Sequence, residues 1–245
     1  MNNLTKRYRF ILVRHGQSIW NRDNKFTGWT NIPLTLKGKK DALDIAWSLR
    51  TNNIYPTHIY TSELKRSVMT SNIIRQVYMP IHIPLSTTWR LNEKFYGTLE
   101  GVSREYIKER YGKEFTRRMR TEYNMPLPVL EESQQADVAI YRSNYENSEE
   151  QKAYFEMIRF GETKMQLYQR TIPYWIKHIH PNYDKPHYLP LIITHKHTAR
   201  VIMKHIIGMS DETFAEYDLP KDTVLDINVE LGKYNRYVFA QGIQF

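Results

Sequence analysis

The sequence predicts a three-layer α/β fold, with helices on both faces of a mostly parallel sheet. Apolar segments of strand length alternate along the chain with longer segments of helical periodicity, a pattern that is typical of such sheets. The 245 residues contain neither an internal repeat nor a low-complexity linker. With 41% hydrophobic and 25% charged residues, the composition is ordinary for a folded protein. We therefore predict one domain over residues 1–245.

The first half of the chain is predicted to supply three strands and two helices. Thr35 can cap the first helix, whose apolar face would carry Leu43, Ala46 and Trp47 at helical spacing. The apolar residues of the second helix are Val68, Ile73, Ile74 and Val77. The predicted elements are a strand over 8–13, a helix over 36–50, a strand over 58–61, a helix over 64–77 and a strand over 81–85.

A segment without clear periodicity interrupts the second half of the chain. Residues 125–148 contain Pro126, Pro128 and many polar side chains, so we predict a long loop or lid there. Pro173 must bend or restart the helix in which it lies. The predicted elements are helices over 104–118 and 162–179, a strand over 189–194, a helix over 198–207 that ends at Gly208, and strands over 224–231 and 236–240.

Composition excludes several classes of function. The chain has no cysteine, which excludes disulfides, thiolate catalysis and cysteine-based zinc sites. The first residues do not resemble an apolar signal region, and apolar stretches such as 189–193 are too short to span a membrane. These observations predict a cytoplasmic protein with no membrane partner.

The formal net charge of +9 indicates an anionic partner. One interpretation is nucleic-acid binding, and the other is a pocket into which a positive field steers small polyanions. Most basic residues are scattered, and no helix-turn-helix, zinc-finger or RNA-recognition signature is visible. We therefore predict a small polyanionic ligand and no nucleic-acid partner.

Residues 12–18, LVRHGQS, are the most informative segment of the chain. A strand is predicted to end here at an Arg-His-Gly turn, and those three residue types suit an attack on phosphate. His15 would be the nucleophile, Arg14 would neutralise phosphoryl oxygens, and Gly16 would leave room for them. The three letters alone are also compatible with a strand end that carries a chance basic pair.

A second predicted strand, 189–194, also ends in a histidine-containing turn, His195-Lys196-His197. In a parallel α/β sheet the carboxyl ends of the strands form the ligand crevice. The two turns could therefore meet at one site.

Three further segments complete a recognisable pattern. They are Asn21 with residues 27–29 (TGW), residues 61–66 (TSELKR) and residues 91–101 (LNEKFYGTLEG). In this order and spacing, together with 12–18 and His195, they resemble the histidine phosphatase superfamily, and within it the cofactor-dependent phosphoglycerate mutases. The resemblance extends from about residue 8 to residue 231 and implies a phosphoglycerate mutase-like fold.

The resemblance implies a catalytic role for five residues. His15 would accept the phosphoryl group through one ring nitrogen, and Arg14 and Arg66 would clamp its oxygens. His195 would stabilise charge in the transition state, and Glu93 would be the general acid and base. Singly, each of these residues has a structural explanation, such as a helix-surface position for Arg66 or a surface ion pair for Glu93.

The resemblance also implies a set of substrate-binding residues. Some of them would hold phosphate or carboxylate near the nucleophile, and others would bind the carboxylate end of a phosphoglycerate. The full set is Ser18, Asn21, Thr27, Gly28, Lys94, Tyr96, Arg104, Arg120, Lys196 and His197.

The chain departs from the family pattern where the substrate would bind. The family usually has His-Gly-Asn where this chain has His195-Lys196-His197, and a positive φ at that glycine would make Lys196 costly by roughly 1 kcal/mol. An arginine pair of the family is represented by Arg120 and Thr121, so one cation is missing. Lys94 replaces an arginine and keeps its charge without its fork geometry.

The resemblance implies a mutase that interconverts 3-phosphoglycerate and 2-phosphoglycerate through phospho-His15, primed by 2,3-bisphosphoglycerate and without a metal. It also implies a possible homodimer. The departures keep open a phosphatase with altered specificity on the same fold, and a non-catalytic binding protein is a further alternative. His195 with His197, and His178 with His180, could also be metal pairs, although carboxylates are absent nearby.

Overall fold

A six-stranded sheet organises the structure, a computed structural model that describes residues 8–137, 148–219, 223–230 and 233–240. The strands are β1 (Tyr8–Arg14), β2 (His58–Thr61), β3 (Leu85–Thr87), β4 (Pro190–Thr194), β5 (Thr223–Glu230) and β6 (Lys233–Ala240). Their order is β3-β2-β4-β1-β5-β6. The first four strands in this order are parallel, and β5 and β6 are antiparallel to their neighbours. The prediction of a mostly parallel sheet is confirmed.

Two hydrophobic clusters cover the two faces of this sheet. In β1, Phe10 and Leu12 point into one cluster, and Ile11 and Val13 point into the other, as the alternation of a strand requires. The helices are α1 (Ile19–Arg22), α2 (Leu36–Thr51), α3 (Lys65–Val77), α4 (Arg104–Thr121), α5 (Glu149–Ile158), α6 (Lys164–Tyr174), α7 (Lys196–Ile207) and α8 (Asp211–Glu216). Residues of α6 and α7 join the first cluster and residues of α2 and α3 join the second, which confirms the three layers.

Several predicted elements need correction. The strand predicted over 81–85 begins only at Leu85, after Pro84. The predicted face of α2 is wrong in part, because Leu43 and Trp47 are 41% and 50% exposed whereas Ala46 is buried. The helix predicted over 162–179 is α6 followed by one π-helical segment, Trp175–Ile179.

The predicted loop over 125–148 is only partly within the described residues. Residues 125–137 contain a single 3₁₀ turn, Glu132–Gln134, and residues 138–147 lie outside the described residues. Helix α5 follows directly and was not predicted, although Ser148 is a good N-cap and two glutamates begin its first turn.

The carboxyl ends of β1 and β4 lie side by side. The backbone N–H of His15 donates to the carbonyl oxygen of Thr194 at 3.0 Å, and Arg14 is paired with Thr194. The two histidine-containing turns therefore meet at one edge of the sheet, as predicted. Among the residues that the structure describes, no helix is long and apolar enough to cross a membrane.

Candidate active site

His15 lies in a buried position directly after β1, with 6% of its surface exposed. Its Nδ1 is 2.6 Å from the carbonyl oxygen of Gly16. Because a carbonyl oxygen only accepts, Nδ1 carries the ring proton and Nε2 keeps its lone pair. Burial, then the nearby charges of Arg66 and Arg14, hold the pKa of His15 well below its usual range. The ring is therefore neutral at physiological pH, and the lone pair of Nε2 could act as a nucleophile.

Arg66 fixes the direction of that lone pair. This arginine is in the first turn of α3 and is 1% exposed, so the alternative of a helix-surface residue does not hold. Its Nε donates to Nε2 of His15 at 3.2 Å. Its Nη1 and Nη2 donate to the carbonyl oxygens of Thr30 and Gly28 at 3.0 and 2.7 Å. The guanidinium plane is thus held edge-on to the nucleophile, where it can meet phosphoryl oxygens.

His195 faces His15 across the site, with ring centroids 4.8 Å apart. Its Nε2 is 2.8 Å from the Ser62 hydroxyl and 3.2 Å from the Ser67 hydroxyl. Its Nδ1 is buried and has no hydrogen-bond partner within the described part of the chain. Burial, followed by the charge of Arg66, lowers the pKa of His195 well below its usual range. An unpartnered polar nitrogen beside the nucleophile is suited to bind a ligand oxygen.

Glu93 lies at the inner wall of the site, 9% exposed. Its Oε1 accepts from the backbone N–H groups of Lys94 and His197, at 2.8 and 3.2 Å. The second of these groups belongs to the first turn of α7, so the helix that follows His195 also orients the Glu93 carboxyl. A carboxyl group held in this way is able to exchange protons with a bound substrate.

The segment that carries Glu93 is held by a buried ion pair. Arg170 and Glu162 are 1% and 0% exposed, and Nε of Arg170 donates to Glu162 at 2.7 Å. The other guanidinium nitrogens of Arg170 donate to four backbone carbonyls, those of Trp89, Arg90, Asn92 and Glu93. Glu162 in turn accepts from the backbone N–H of Phe95 at 2.9 Å.

A basic cleft of about 680 Å³ opens in front of His15. In the described part of the chain it is lined by nine lysine and arginine side chains and one carboxylate, that of Glu105. The nine cations are Arg14, Lys25, Lys37, Arg104, Lys108, Lys113, Arg117, Arg120 and Lys196. This excess of positive charge attracts polyanions and accelerates their association.

Comparison with known proteins shows the family to which the chain belongs. The profile of the histidine phosphatase superfamily (branch 1) matches residues 10–139, which include His15, Arg66 and Glu93. The chain belongs to this superfamily.

Curated members of the superfamily are similar to the chain over most of its length. A 2,3-bisphosphoglycerate-dependent phosphoglycerate mutase of Buchnera aphidicola subsp. Cinara cedri is 34% identical over 235 residues, which cover 96% of this chain and 95% of that protein. A 2,3-bisphosphoglycerate-dependent phosphoglycerate mutase 2 of Bacteroides thetaiotaomicron is 36% identical, over 86% of this chain and 83% of that protein.

Solved structures of the superfamily have the same fold. The α-ribazole phosphatase from Shigella flexneri superimposes with a TM-score of 0.66, at 19% identity, over 97% of this chain and 100% of that one. A mycobacterial glucosyl-3-phosphoglycerate phosphatase gives a TM-score of 0.68 at 13% identity, over 98% and 100% of the two chains.

The structure divides the predicted substrate-binding residues into two groups. Those that line the cleft are Asn21, Tyr96, Arg104, Arg120, Lys196 and His197. Those that lie behind its surface are Ser18, Thr27, Gly28 and Lys94, all of them buried. Ser18 caps α1 by accepting from the backbone N–H of Asn21 at 3.3 Å. Burial lowers the pKa of Lys94 to about 8.

The backbone of Lys196 is not strained. It is the first residue of α7, and the described residues other than glycine that have positive φ are Asn24, Asn53 and His187. The expected conformational cost of lysine here is therefore wrong. Its Nζ lies 2.7 Å from Oδ1 of Asp218, which holds the side chain at the side of the cleft.

Sequence reasoning missed several residues of the site. Arg117 lines the cleft one helical turn before Arg120, and the i,i+3 spacing of the two arginines could have revealed it. Ser62, within the segment 61–66, and Ser67, directly after it, contact His195. Glu100 lies within the segment 91–101 but was given no role. The Arg170–Glu162 pair had no sequence signal. No group that could hold a metal ion occurs among the described residues.

Proposed function

We propose that this protein is a phosphoglycerate mutase that interconverts 3-phosphoglycerate and 2-phosphoglycerate through a phosphohistidine on His15. The names of relatives about one-third identical over most of the chain support this function. The observation that carries it is the buried, neutral ring of His15, whose Nε2 receives the Nε–H of Arg66 and faces His195. This arrangement suits in-line attack on phosphorus.

The proposed reaction uses the same residues in both directions. The reaction begins with the phosphoryl group on His15: the free hydroxyl of the monophosphoglycerate attacks phosphorus, the N–P bond breaks, and Glu93 takes the hydroxyl proton. Nε2 of His15 then attacks the phosphorus of the other phosphate group, the P–O bond breaks, and Glu93 gives a proton to the leaving substrate oxygen. The substrate thus keeps phosphate on the glycerate oxygen that did not carry it at first, and His15 is phosphorylated again. Arg14, Arg66 and His195 balance the charge that the phosphoryl group carries in the transition state.

Buried polar atoms support a second phosphate group in the site. Within the described residues, Thr27 Oγ1, His195 Nδ1 and His197 Nδ1 are buried without hydrogen-bond partners, next to a strongly basic cleft. These atoms, with Arg104 and Arg120, fit a bisphosphorylated glycerate and would hold it. When bound, 2,3-bisphosphoglycerate supplies the phosphoryl group that primes His15.

Product analysis with the wild-type protein tests this function. We expect 3-phosphoglycerate to become 2-phosphoglycerate in ³¹P NMR spectra, with turnover that depends on catalytic amounts of 2,3-bisphosphoglycerate. Inorganic phosphate as the main product would instead identify the protein as a phosphatase. If neither product forms, the proposed substrate is wrong.

Arg104 is proposed to bind the carboxylate end of the substrate. Its guanidinium lies 4.2 Å from the ring of Phe26 and 6.0 Å from that of Tyr96, at the cleft wall. Loss of a charge-assisted hydrogen bond costs about 1.5–3 kcal/mol, so Arg104→Met should raise KM about tenfold or more. We expect kcat to change by less than about threefold, because this contact is equally present in the ground state.

Arg110→Met is the matched control for this experiment. Arg110 is on the same helix and is exposed, but it does not line the cleft. Steady-state kinetics of both variants should show a raised KM for Arg104→Met alone. An equal effect in the two variants would show that general electrostatic attraction, and not a local contact, is responsible.

A further inference from the structure

A buried carboxylate holds the turn that lies behind the phosphate clamp. Glu100 is 5% exposed and follows the segment that carries Glu93. Its carboxylate accepts from the backbone N–H groups of Trp29, Thr30 and Tyr96, at 2.7, 3.0 and 3.3 Å. It also accepts from the hydroxyl of Thr30 at 2.5 Å. Every one of these groups donates, so the ionised carboxylate is the form that fits.

The turn at Gly28 is shaped around this carboxylate. Gly28 has a φ of +50°, which favours glycine. A Cβ atom added to it would come within 1.8 Å of Oε1 of Glu100. The carboxylate therefore occupies the space that a side chain would fill, and residues 28–30 are closed over it.

The outer side of the same turn holds Arg66. The carbonyl oxygens of Gly28 and Thr30 are the two backbone acceptors that fix Nη2 and Nη1 of Arg66. Nε of Arg66 then reaches Nε2 of His15. Glu100 is thus connected to His15 in three steps. Its carboxylate holds the backbone of residues 28–30, this backbone holds Arg66, and Arg66 contacts His15.

We propose that Glu100 is a positioning residue for anion binding, which sets the orientation of Arg66 through the turn at residues 28–30. The proposal rests on the proposed function only in taking Arg66 as the phosphate clamp. It applies equally to a mutase and to a phosphatase. A neutral Glu100 side chain would accept less strongly from the three backbone N–H groups than the carboxylate does. The turn would then be held less firmly, and its two carbonyls would fix the guanidinium less well.

The charge state of Glu100 makes this role dependent on pH. Burial raises the pKa of Glu100 to about 7. The charge of Arg66 lowers this pKa, and so do the hydrogen bonds from Thr30, Trp29 and Tyr96. The pKa values of His15 and His195 lie well below their usual range, so neither ring titrates near neutrality. Glu100 is ionised above its pKa and protonated below it, so anion binding should weaken as pH falls through about 7.

Sulfate is the probe that separates this effect from simple electrostatics. Sulfate remains a dianion throughout the range from about pH 6 to about pH 8, so a change in its affinity reports on the protein. Removal of the Glu100 charge would by itself strengthen sulfate binding, because a nearby negative charge is lost. Loss of positioning would weaken it. The two explanations therefore predict opposite signs.

The experiment is calorimetric titration of sulfate into the full chain, as wild type and Glu100→Gln, at both ends of this pH range. We expect Glu100→Gln to bind sulfate about tenfold more weakly at about pH 8. This change in affinity corresponds to the loss of one charge-assisted contact. Lys94, whose pKa burial lowers to about 8, gains charge over this range in both proteins. We therefore expect the affinity of wild type to fall relative to that of the variant as the pH is lowered from about 8 to about 6. Glu132→Gln, at an exposed glutamate, is the control and should match wild type.

A second variant keeps the proposal testable if Glu100→Gln does not fold. Thr30→Val removes the hydroxyl donor and leaves the carboxylate in place, so it should weaken sulfate binding by a smaller factor and retain the pH dependence. Unchanged or tighter sulfate binding by a folded Glu100→Gln or Thr30→Val variant overturns the proposal. Failure of 3-phosphoglycerate turnover with sulfate binding as expected would count against the proposed substrate alone.

Discussion

Replacing His15 by alanine should abolish phosphoryl transfer while leaving the fold intact. The side chain provides the only nucleophile that we propose, and loss of a nucleophile typically lowers kcat by ~10⁴-fold or more. The ring is buried, but Arg66 keeps its hydrogen bonds to the carbonyls of Thr30 and Gly28, and the backbone N–H of Gly16 keeps the Thr70 hydroxyl, so a large loss of stability is not expected. Turnover of 3-phosphoglycerate and acid-labile labelling by ³²P-labelled substrate should disappear together.

His82→Ala is the matched control for this prediction, because His82 is exposed and does not line the cleft. It should retain wild-type kinetics and labelling. If His15→Ala were still labelled with acid-labile phosphate, His195 or another histidine would be the acceptor, and the proposed mechanism would be wrong.

The parallel centre of the sheet could be predicted because its strands are local patterns. Residues 8–13 and 189–194 are apolar apart from Arg9 and Thr194, as is typical of strands buried on both faces, and each segment is followed by a turn with a histidine. Their adjacency followed from the general rule that parallel strands bring their carboxyl ends to one edge. The hydrogen bond between His15 and Thr194 shows how directly that rule positions the site.

Helix α3 shows why hydrophobic periodicity fails near a functional site. Its predicted face included Val68, Ile73 and Val77, which are only half-buried, whereas Ile74 is buried. The fully buried side chains at its start are polar, namely Arg66, Ser67, Thr70 and Ser71. Arg66 and Ser67 contact His15 and His195, and Thr70 accepts from the backbone N–H of Gly16. The buried side of this end of the helix is therefore polar, and a rule based on apolar burial points to the wrong face.

The support behind the catalytic residues could not be predicted at all. Glu100 accepts from the backbone N–H of Trp29 and Arg170 donates to the carbonyl of Trp89, each about 70 to 80 residues away along the chain. No sequence motif records hydrogen bonds to such distant backbone groups. Lys196 was misjudged for a related reason. A departure from a family pattern gives the residue type but not the φ angle, and here the helix begins one residue after His195.

Removal of the Arg170 guanidinium should cause the largest loss of stability of any change considered for this protein. Arg170→Met leaves the Glu162 carboxylate buried without its charged partner, and breaking one side of a buried pair costs about 3–5 kcal/mol. Both side chains are almost fully buried, so solvent screening cannot reduce this cost. The thermal midpoint should fall by about 10 °C, because 1 kcal/mol corresponds to about 2–4 °C in a chain of this size. Differential scanning calorimetry measures this fall directly.

A double variant separates stability from positioning at this pair. Glu162→Gln combined with Arg170→Met removes the unpaired charge, so part of the lost stability should return. Activity should remain low, because the carbonyls of Asn92 and Glu93 still lack the Arg170 guanidinium and keep only the donors of Thr198 and Trp29. Arg118→Met is the control, since Arg118 forms an exposed ion pair with Glu122 and its loss should barely move the midpoint. Full recovery of kcat in the double variant would show that Arg170 stabilises the fold without orienting Glu93.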